Sequence, residues 1–76
     1  MKISAIIPTY NEEIHIEKAI KSVSFADEII VIDSYSTDRT VELAKKHDVK
    51  LIQRVFDDFS SQKNYAIQQA KHDWVY

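Results

Sequence analysis

The chain of 76 residues contains no glycine, and this limits the loops that it can form. Average usage of about 7% would give roughly five glycines in a chain of this length. The phosphate-binding loops of P-loop and dinucleotide-binding proteins depend on glycine, because it lets the backbone approach the phosphate closely. Both loop types are therefore excluded, and any nucleotide site in this chain would need another geometry.

Four short apolar segments predict β-strands. The first two are nearly continuous apolar runs, which are typical of strands covered on both faces. The segments between them are long enough for right-handed crossovers between parallel strands. The predicted strands cover residues 2–8, 28–33, 49–53 and 73–76. The sequence therefore predicts an α/β fold with an open, mainly parallel sheet and helices on both of its faces.

Three helices are predicted between these strands. Asn11 is the predicted N-cap of the first helix. Ser36 or Thr37 is the predicted N-cap of the second, which runs to about residue 47. The third helix is predicted at 60–71. No internal repeat or linker interrupts the pattern, so we expect one domain.

Composition excludes several functional classes. Ten basic and twelve acidic residues give a formal charge of −2, so no basic field is present to bind nucleic acid or an anionic membrane. The absence of cysteine excludes disulfides and favours a reducing compartment. No secretory signal or membrane-spanning segment is recognisable, and we expect a cytoplasmic protein. The histidines lack metal-binding spacing, and Asp57 and Asp58 are interpreted as loop and helix-capping acids.

Two polar clusters follow the first two predicted strands, at residues 9–12 and 33–36. If these strands are neighbours, the clusters face each other at the edge where open α/β sheets bind ligands. The aromatic ring of Tyr10 and the carboxylate of Asp33 are groups that a nucleoside needs for stacking and hydrogen bonding. The residues alone leave two interpretations open, a nucleoside site or ordinary turns and helix caps.

Four segments, taken in order, resemble the family 2 glycosyltransferases, which have the GT-A fold. Residues 6–13 (IIPTYNEE) resemble the opening signature of that family, and residues 26–40 resemble its second signature. Residues 61–66 and 73–75 resemble a subgroup that includes lipopolysaccharide core glucosyltransferases. The resemblance covers essentially the whole chain. It implies the nucleotide-binding half of a glycosyltransferase domain.

The resemblance also implies roles for individual residues. Pro8 and Tyr10 would line a base pocket, with Tyr10 against a uracil-like ring. For Lys63 two interpretations stay open: a solvated surface charge, or a residue that approaches the diphosphate or stabilises the mouth of the site. The other expected contacts with the nucleotide-sugar are Thr9, Glu12, Asp33 and Ser34. The common family pattern has a second acid and then glycine after the position of Asp33, but this chain has Ser34 and Tyr35. This departure leaves the identity of the base open.

The resemblance further implies an intact enzyme that transfers a sugar, with inversion, from a nucleoside diphosphate-sugar to a saccharide or lipid-linked acceptor in cell-envelope glycan synthesis. An Asp-x-Asp element that binds Mg²⁺ or Mn²⁺ is expected just after Tyr76. The chain is therefore expected to lack catalytic residues, to bind no metal and to be inactive alone, with membrane association only through other regions. The alternatives are a non-catalytic nucleotide-binding or receiver-like signalling module, and a nucleotidyltransferase.

Overall fold

Strands and helices alternate along the chain. The structure, a computed structural model, describes residues 2–71 and, for the backbone alone, residues 74 and 75. The elements are β1 (Ile3–Thr9), α1 (Ile16–Ser22), β2 (Glu28–Asp33), α2 (Thr40–Ala44), β3 (Lys50–Gln53), α3 (Phe59–Gln69) and β4 (Trp74–Val75). The fourth predicted strand is confirmed at Trp74–Val75, whereas residues 73 and 76 lie outside the described residues. None of the described helices is long and apolar enough to cross a bilayer.

The described strands form one parallel sheet in the order β3-β2-β1-β4. Successive strand residues point to opposite faces, and each face packs against helices. The core on the side of α1 and α2 contains buried Ile16, Ile20, Val31 and Ala44. The core on the side of α3 contains buried Ile30, Ile32 and Ala66. The predicted fold class is confirmed, and burial on both faces explains the apolar run of β2.

The strand order reverses at β1. β2 and β3 lie on one side of it, and β4 lies on the other. Thr9 is in register with Asp33, so β1 and β2 end level and their following loops start side by side. The condition under which the two polar clusters face each other, that these strands are neighbours, is therefore met. Ligands of open α/β sheets bind outside the carboxyl ends of the strands near such a reversal.

The helix starts differ from those predicted. Asn11 does not cap α1, because it takes up a left-handed conformation with φ of 50° and His15 occupies the N-cap position. Neither Ser36 nor Thr37 caps α2, whose N-cap is Arg39 and which is shorter than predicted. The side chains of Asn11 and Ser36 bond to the neighbouring loop instead of the helix that follows them.

Candidate functional site

The loops that follow β1 and β2 are tied together by hydrogen bonds. The backbone N–H of Asn11 donates to Ser36 Oγ at 2.8 Å. In return, the backbone N–H of Thr37 donates to Asn11 Oδ1 at 2.8 Å. Nearer the sheet, the N–H of Ser34 donates to the carbonyl of Thr9 at 2.9 Å. These bonds join residues about 25 positions apart and replace the local bonds that a glycine-rich loop would make.

The next two amides along the first loop are also engaged. The N–H of Glu12 donates to Thr40 Oγ1 at 2.8 Å, and the N–H of Glu13 donates to Asp38 Oδ2 at 3.2 Å. Partial burial opposes ionisation of Asp38, but hydrogen bonds from Thr40 and from the Glu13 amide outweigh it and lower the pKa of this carboxyl. The first loop is therefore held by the second, with an ionised carboxylate at the junction.

Asp33 lies at the centre of this junction and is completely buried. Its Oδ1 accepts hydrogen bonds from the hydroxyls of Thr9, at 2.8 Å, and Ser36. Its Oδ2 accepts from the Ser36 N–H at 2.9 Å and from Gln53 Nε2 at 3.4 Å. Burial raises the pKa of the Asp33 carboxyl, but these bonds outweigh burial and hold the pKa below its usual value. A carboxylate has about four acceptor positions, and protein donors occupy all of them here.

Both loops bend in the same way. Asn11 and Tyr35 each lie two residues after the end of a strand, and both have positive φ, 50° and 58° respectively. Asparagine tolerates this left-handed conformation, whereas for most other residues with a Cβ atom it costs roughly 1–2 kcal/mol. Tyr35 occupies the position where the family pattern expects glycine, and the structure shows that its backbone adopts the left-handed conformation nevertheless.

A mainly apolar cavity of about 450 Å³ opens beside this junction. One wall, which we call the inner wall, comes from the ends of β1 and β2. The opposite wall, the outer wall, comes from the loop after β3 and the start of α3. The lining residues are Pro8, Thr9, Tyr10, Ser34, Phe56, Phe59 and Gln62. The volume lies within the range of small-molecule sites, and Tyr10 and Phe59 offer accessible aromatic surface, being 58% and 81% exposed.

Arg54 organises the loop of the outer wall. Its guanidinium donates to both carboxylate oxygens of Asp57, at 3.0 and 3.1 Å, and lies 5.0 Å from the ring centroid of Tyr65. The hydrogen bond from Arg54 lowers the pKa of Asp57 to about 2. The pair fixes the path of the loop between β3 and α3.

Asp58 then begins α3. Its Oδ1 accepts the Ser61 N–H at 2.7 Å in an N-cap arrangement. The interpretation of Asp57 and Asp58 as loop and capping acids is thereby confirmed. Phe56 and Phe59, which flank the two acids in sequence, contact each other edge to face with centroids 5.2 Å apart. Their rings form most of the outer wall.

The residues predicted to contact a nucleotide-sugar separate into two groups. Pro8, Thr9, Tyr10 and Ser34 come together on the cavity wall. The other three are not among the lining residues: Asp33 is buried behind the wall, Glu12 is half-buried, and Lys63 lies on the exposed surface of α3. The contacts of all seven residues with a ligand stay predictions.

Sequence reasoning missed three lining residues, Phe56, Phe59 and Gln62. The segment between β3 and α3 carries Arg54, Asp57 and Asp58, which is the pattern of a polar loop. The sequence signal for Phe56 and Phe59 was the presence of two phenylalanines in a short polar segment. Aromatic side chains in a loop are expected to pack against an apolar surface or a ligand. No local signal marks Gln62, because its position depends on how α3 packs.

Residues 2–71 do not supply a metal centre. No group of three His, Asp or Glu side chains in this part of the chain is arranged to hold a metal ion. The acids that come nearest to the cavity are engaged, Asp33 by four protein donors and Asp58 by the first turn of α3. No metal-dependent step is therefore derived from the described residues.

A family model for glycosyl transferase family 2 matches residues 4–76. Since this match covers nearly the whole chain, the chain belongs to glycosyl transferase family 2. This membership decides against the receiver-like module and the nucleotidyltransferase. The finer resemblance to lipopolysaccharide core glucosyltransferases is not tested by this match.

Similar proteins from other organisms are also named as glycosyltransferases. An uncharacterised glycosyltransferase of Rickettsia bellii is 45% identical over 75 residues, which are 97% of this chain and 26% of that protein. The poly(ribitol-phosphate) β-N-acetylglucosaminyltransferase of Staphylococcus aureus is 32% identical over 87 residues, covering 99% of this chain and 15% of that protein. The chain thus spans about a quarter or less of the length of these two relatives.

A solved structure shares the fold. Glucosyl-3-phosphoglycerate synthase of Mycobacterium tuberculosis was crystallised with Mn²⁺, UDP-glucose and glycerol 3-phosphate. It matches 97% of this chain with a TM-score of 0.83 and 29% identity, and the match covers 31% of that protein. The chain therefore has the fold of a segment of an enzyme that was crystallised with a nucleotide-sugar.

Proposed function

We propose that this chain is the nucleotide-binding part of a sugar-nucleotide-dependent glycosyltransferase and that the base of the donor lies in the cavity. The observation that carries the proposal is the apolar cavity at the carboxyl ends of β1 and β2, with an accessible tyrosine ring on its wall. A flat base gains stacking and apolar contact in such a place. Family membership supports the sugar as the group transferred.

The proposed donor is a uridine diphosphate-sugar. The solved structure with the matching fold holds UDP-glucose. In this proposal the uracil ring packs against Tyr10, with Pro8 at its edge, and the ribose lies near Thr9 and Ser34. Asp33 acts by holding the hydroxyls of Thr9 and Ser36 in place, because its own acceptor positions are occupied. Glu12 and Lys63 are assigned to the mouth of the site, close to the diphosphate.

The proposed reaction is an inverting transfer. An acceptor hydroxyl attacks the anomeric carbon, the bond from that carbon to the nucleoside diphosphate breaks, and a base takes the hydroxyl proton. We propose that this base and the carboxylates that hold Mg²⁺ or Mn²⁺ belong to regions outside this chain. The proposed acceptor is a saccharide or lipid-linked glycan of the cell envelope. The name of the Staphylococcus relative, with its poly(ribitol-phosphate) acceptor, supports this choice. The cytoplasmic location and the closer affinity to lipopolysaccharide enzymes stay predictions.

Titration calorimetry with UDP-glucose tests the nucleotide site. Tyr10→Ala is expected to weaken binding about tenfold, because stacking of a base on an aromatic ring contributes roughly 1–3 kcal/mol. The matched control is Tyr35→Ala, since Tyr35 is similarly exposed but does not line the cavity. If wild type and Tyr10→Ala bind UDP-glucose with equal affinity, the proposal that the base lies in the cavity is wrong.

A sugar-transfer assay tests whether this chain only binds the donor while other regions of the enzyme supply the base and the metal ligands. The 76-residue chain is expected to bind the donor without transferring its sugar. Metal-dependent turnover by this chain alone would contradict the proposal that the base and metal ligands lie elsewhere.

A further inference from the structure

The side chain of Gln62 is unusual within the cavity wall. The residue is only 6% exposed, and its Oε1 is buried without a hydrogen-bond partner in the described part of the chain. The backbone N–H of Gln62 is satisfied, because it donates to the carbonyl of Asp58 at 3.0 Å. A buried acceptor without a partner costs about 1–3 kcal/mol, and such a group in a folded protein needs an explanation, such as strain, a catalytic role or a bound water or ion.

The position of Gln62 on α3 makes an apolar residue the expected choice. Ala66 lies one turn further along and is fully buried against Ile30 and Ile32. Residues four apart share a helix face, so Gln62 belongs to the same inward face. Its side chain nevertheless carries a carboxamide at a point where this face meets the cavity. No side chain or backbone group of residues 2–71 bonds to its oxygen, which points to a ligand.

Two other polar groups on the wall already have partners. The Thr9 hydroxyl donates to Asp33, and the Ser34 N–H donates to the Thr9 carbonyl. The carboxylate of Asp33 is saturated by four donors. A ligand N–H that enters the apolar cavity therefore needs a different acceptor. Gln62 Oε1 is the buried side-chain acceptor that has no partner among the described residues, and the broad χ3 torsion of glutamine lets the carboxamide turn towards the cavity without moving its stem.

We propose that Gln62 is the residue that selects the base, by pairing with the imide edge of a pyrimidine ring. Its Oε1 accepts the ring N3–H, and its Nε2 donates to an adjacent ring carbonyl. Uracil and thymine both present this edge. The inference rests on the proposed function, since it concerns the same cavity, and it adds the residue and the chemical group that give selectivity for the base.

The test uses a nucleotide that lacks the donor. Calorimetry compares UDP with 3-methyluridine diphosphate, in which a methyl group replaces the N3 hydrogen. Wild type is expected to bind the methylated nucleotide about tenfold more weakly, because Oε1 is then left unpaired. Gln62→Met is expected to bind UDP about tenfold more weakly than wild type and to bind both nucleotides about equally. 5-Methyluridine diphosphate keeps the ribose and the imide edge and carries the thymine methyl group, so it is expected to lose the same factor on Gln62→Met. Its ratio to UDP in wild type separates thymine from uracil as the preferred base.

Stability separates selection of the base from a structural role. Replacing an unpaired polar group by an apolar one of similar length is neutral or stabilising, so Gln62→Met is expected to unfold at the same temperature as wild type or higher. Gln68→Met, on the exposed part of α3, is the control and should alter neither affinity nor selectivity. Equal binding of UDP and its methylated form by wild type overturns the role of Gln62 while leaving the proposed function intact. The role of Gln62 is also overturned, and the proposed function again left intact, if Gln62→Met lowers the affinity for both nucleotides by the same factor. If wild type does not bind UDP at all, both proposals are overturned.

Discussion

The two walls of the cavity are built in different ways. The inner wall rests on a buried carboxylate and on hydrogen bonds between loops that are about 25 residues apart in the chain. The outer wall rests on contacts between residues three apart, Arg54 with Asp57 and Asp58 with Ser61. Its aromatic residues are 44% and 81% exposed. The comparison indicates that the sheet and its junction fix the inner wall, whereas the outer wall supplies apolar surface that can adjust locally.

The largest expected effect is at the centre of the inner wall. Asp33→Asn places an amide NH₂ group against donors such as the Ser36 N–H and should lower the free energy of unfolding by about 2–4 kcal/mol. Urea denaturation measures the change. Asp48→Asn, at an exposed acid, is the control and should stay within about 0.5 kcal/mol of wild type. A loss at Asp33 as small as that at Asp48 would mean that the junction does not fix the inner wall.

A smaller effect is expected at the outer wall. Asp58→Ala removes the N-cap of α3 and should cost about 1 kcal/mol. Asp58→Asn keeps a capping oxygen and should leave stability nearly unchanged. Both are measured by the same denaturation experiment. If Asp58→Ala costs as much as Asp33→Asn, the proposed difference between the walls is wrong.

A gain in stability is expected at Tyr35. Glycine relieves roughly 1–2 kcal/mol of left-handed strain but makes the unfolded chain more flexible, at a cost of about 0.5–1 kcal/mol. Tyr35→Gly should therefore stabilise the chain by about 0.5–1 kcal/mol. Tyr35→Ala also removes the ring but keeps Cβ, so it should give no gain. Stabilisation by both variants would show that the ring, and not the backbone, carries the strain.

The smallest effect is the acid dependence of the Arg54–Asp57 pair. The folded pKa of Asp57, about 2, lies below its unfolded value of about 3.9. The pair therefore stabilises the fold above about pH 4 and loses this contribution as the pH falls towards 2. The difference in urea midpoint between wild type and Asp57→Asn should be small at pH 7, because the pair is exposed. It should shrink further below about pH 4, and a difference that grows on acidification would contradict the assigned pKa.

The sequence predicted the sheet well because burial on both faces leaves a direct signal. The apolar runs at β1 and β2 required helices on both sides, and the adjacency of Thr9 and Asp33 followed from the order of the strands. The capping residues were predicted wrongly. Asn11 and Ser36 are good capping residues by local rules, but each found a partner in the neighbouring loop, and such long-range bonds leave no periodic pattern.

The site was predicted on one wall only. Pro8 lies near the end of the first strand, and Tyr10 and Ser34 follow strands whose positions could be deduced. The outer wall comes from a segment whose conformation depends on Arg54 and on the packing of α3, neither of which is visible in a short-range pattern. The role expected for Asp33, direct contact with the nucleotide, was reasonable for a carboxylate at a strand end, but the number of donors around it could not be counted without the fold.

The hydrogen-bonded amides of the first loop affect how this chain can bind the negatively charged pyrophosphate of a nucleotide. The N–H groups of Asn11 and Glu13 bond to side chains of the second loop, one of them an ionised carboxylate, and the N–H of Glu12 bonds to the first residue of α2. These groups would otherwise attract an anion. A pyrophosphate bound next to this loop would find amides that already have hydrogen-bond partners, and it would lie near the negative charge of Asp38. Its countercharge must therefore come from groups other than these amides, such as the Lys63 that we propose at the mouth of the site or residues outside this chain.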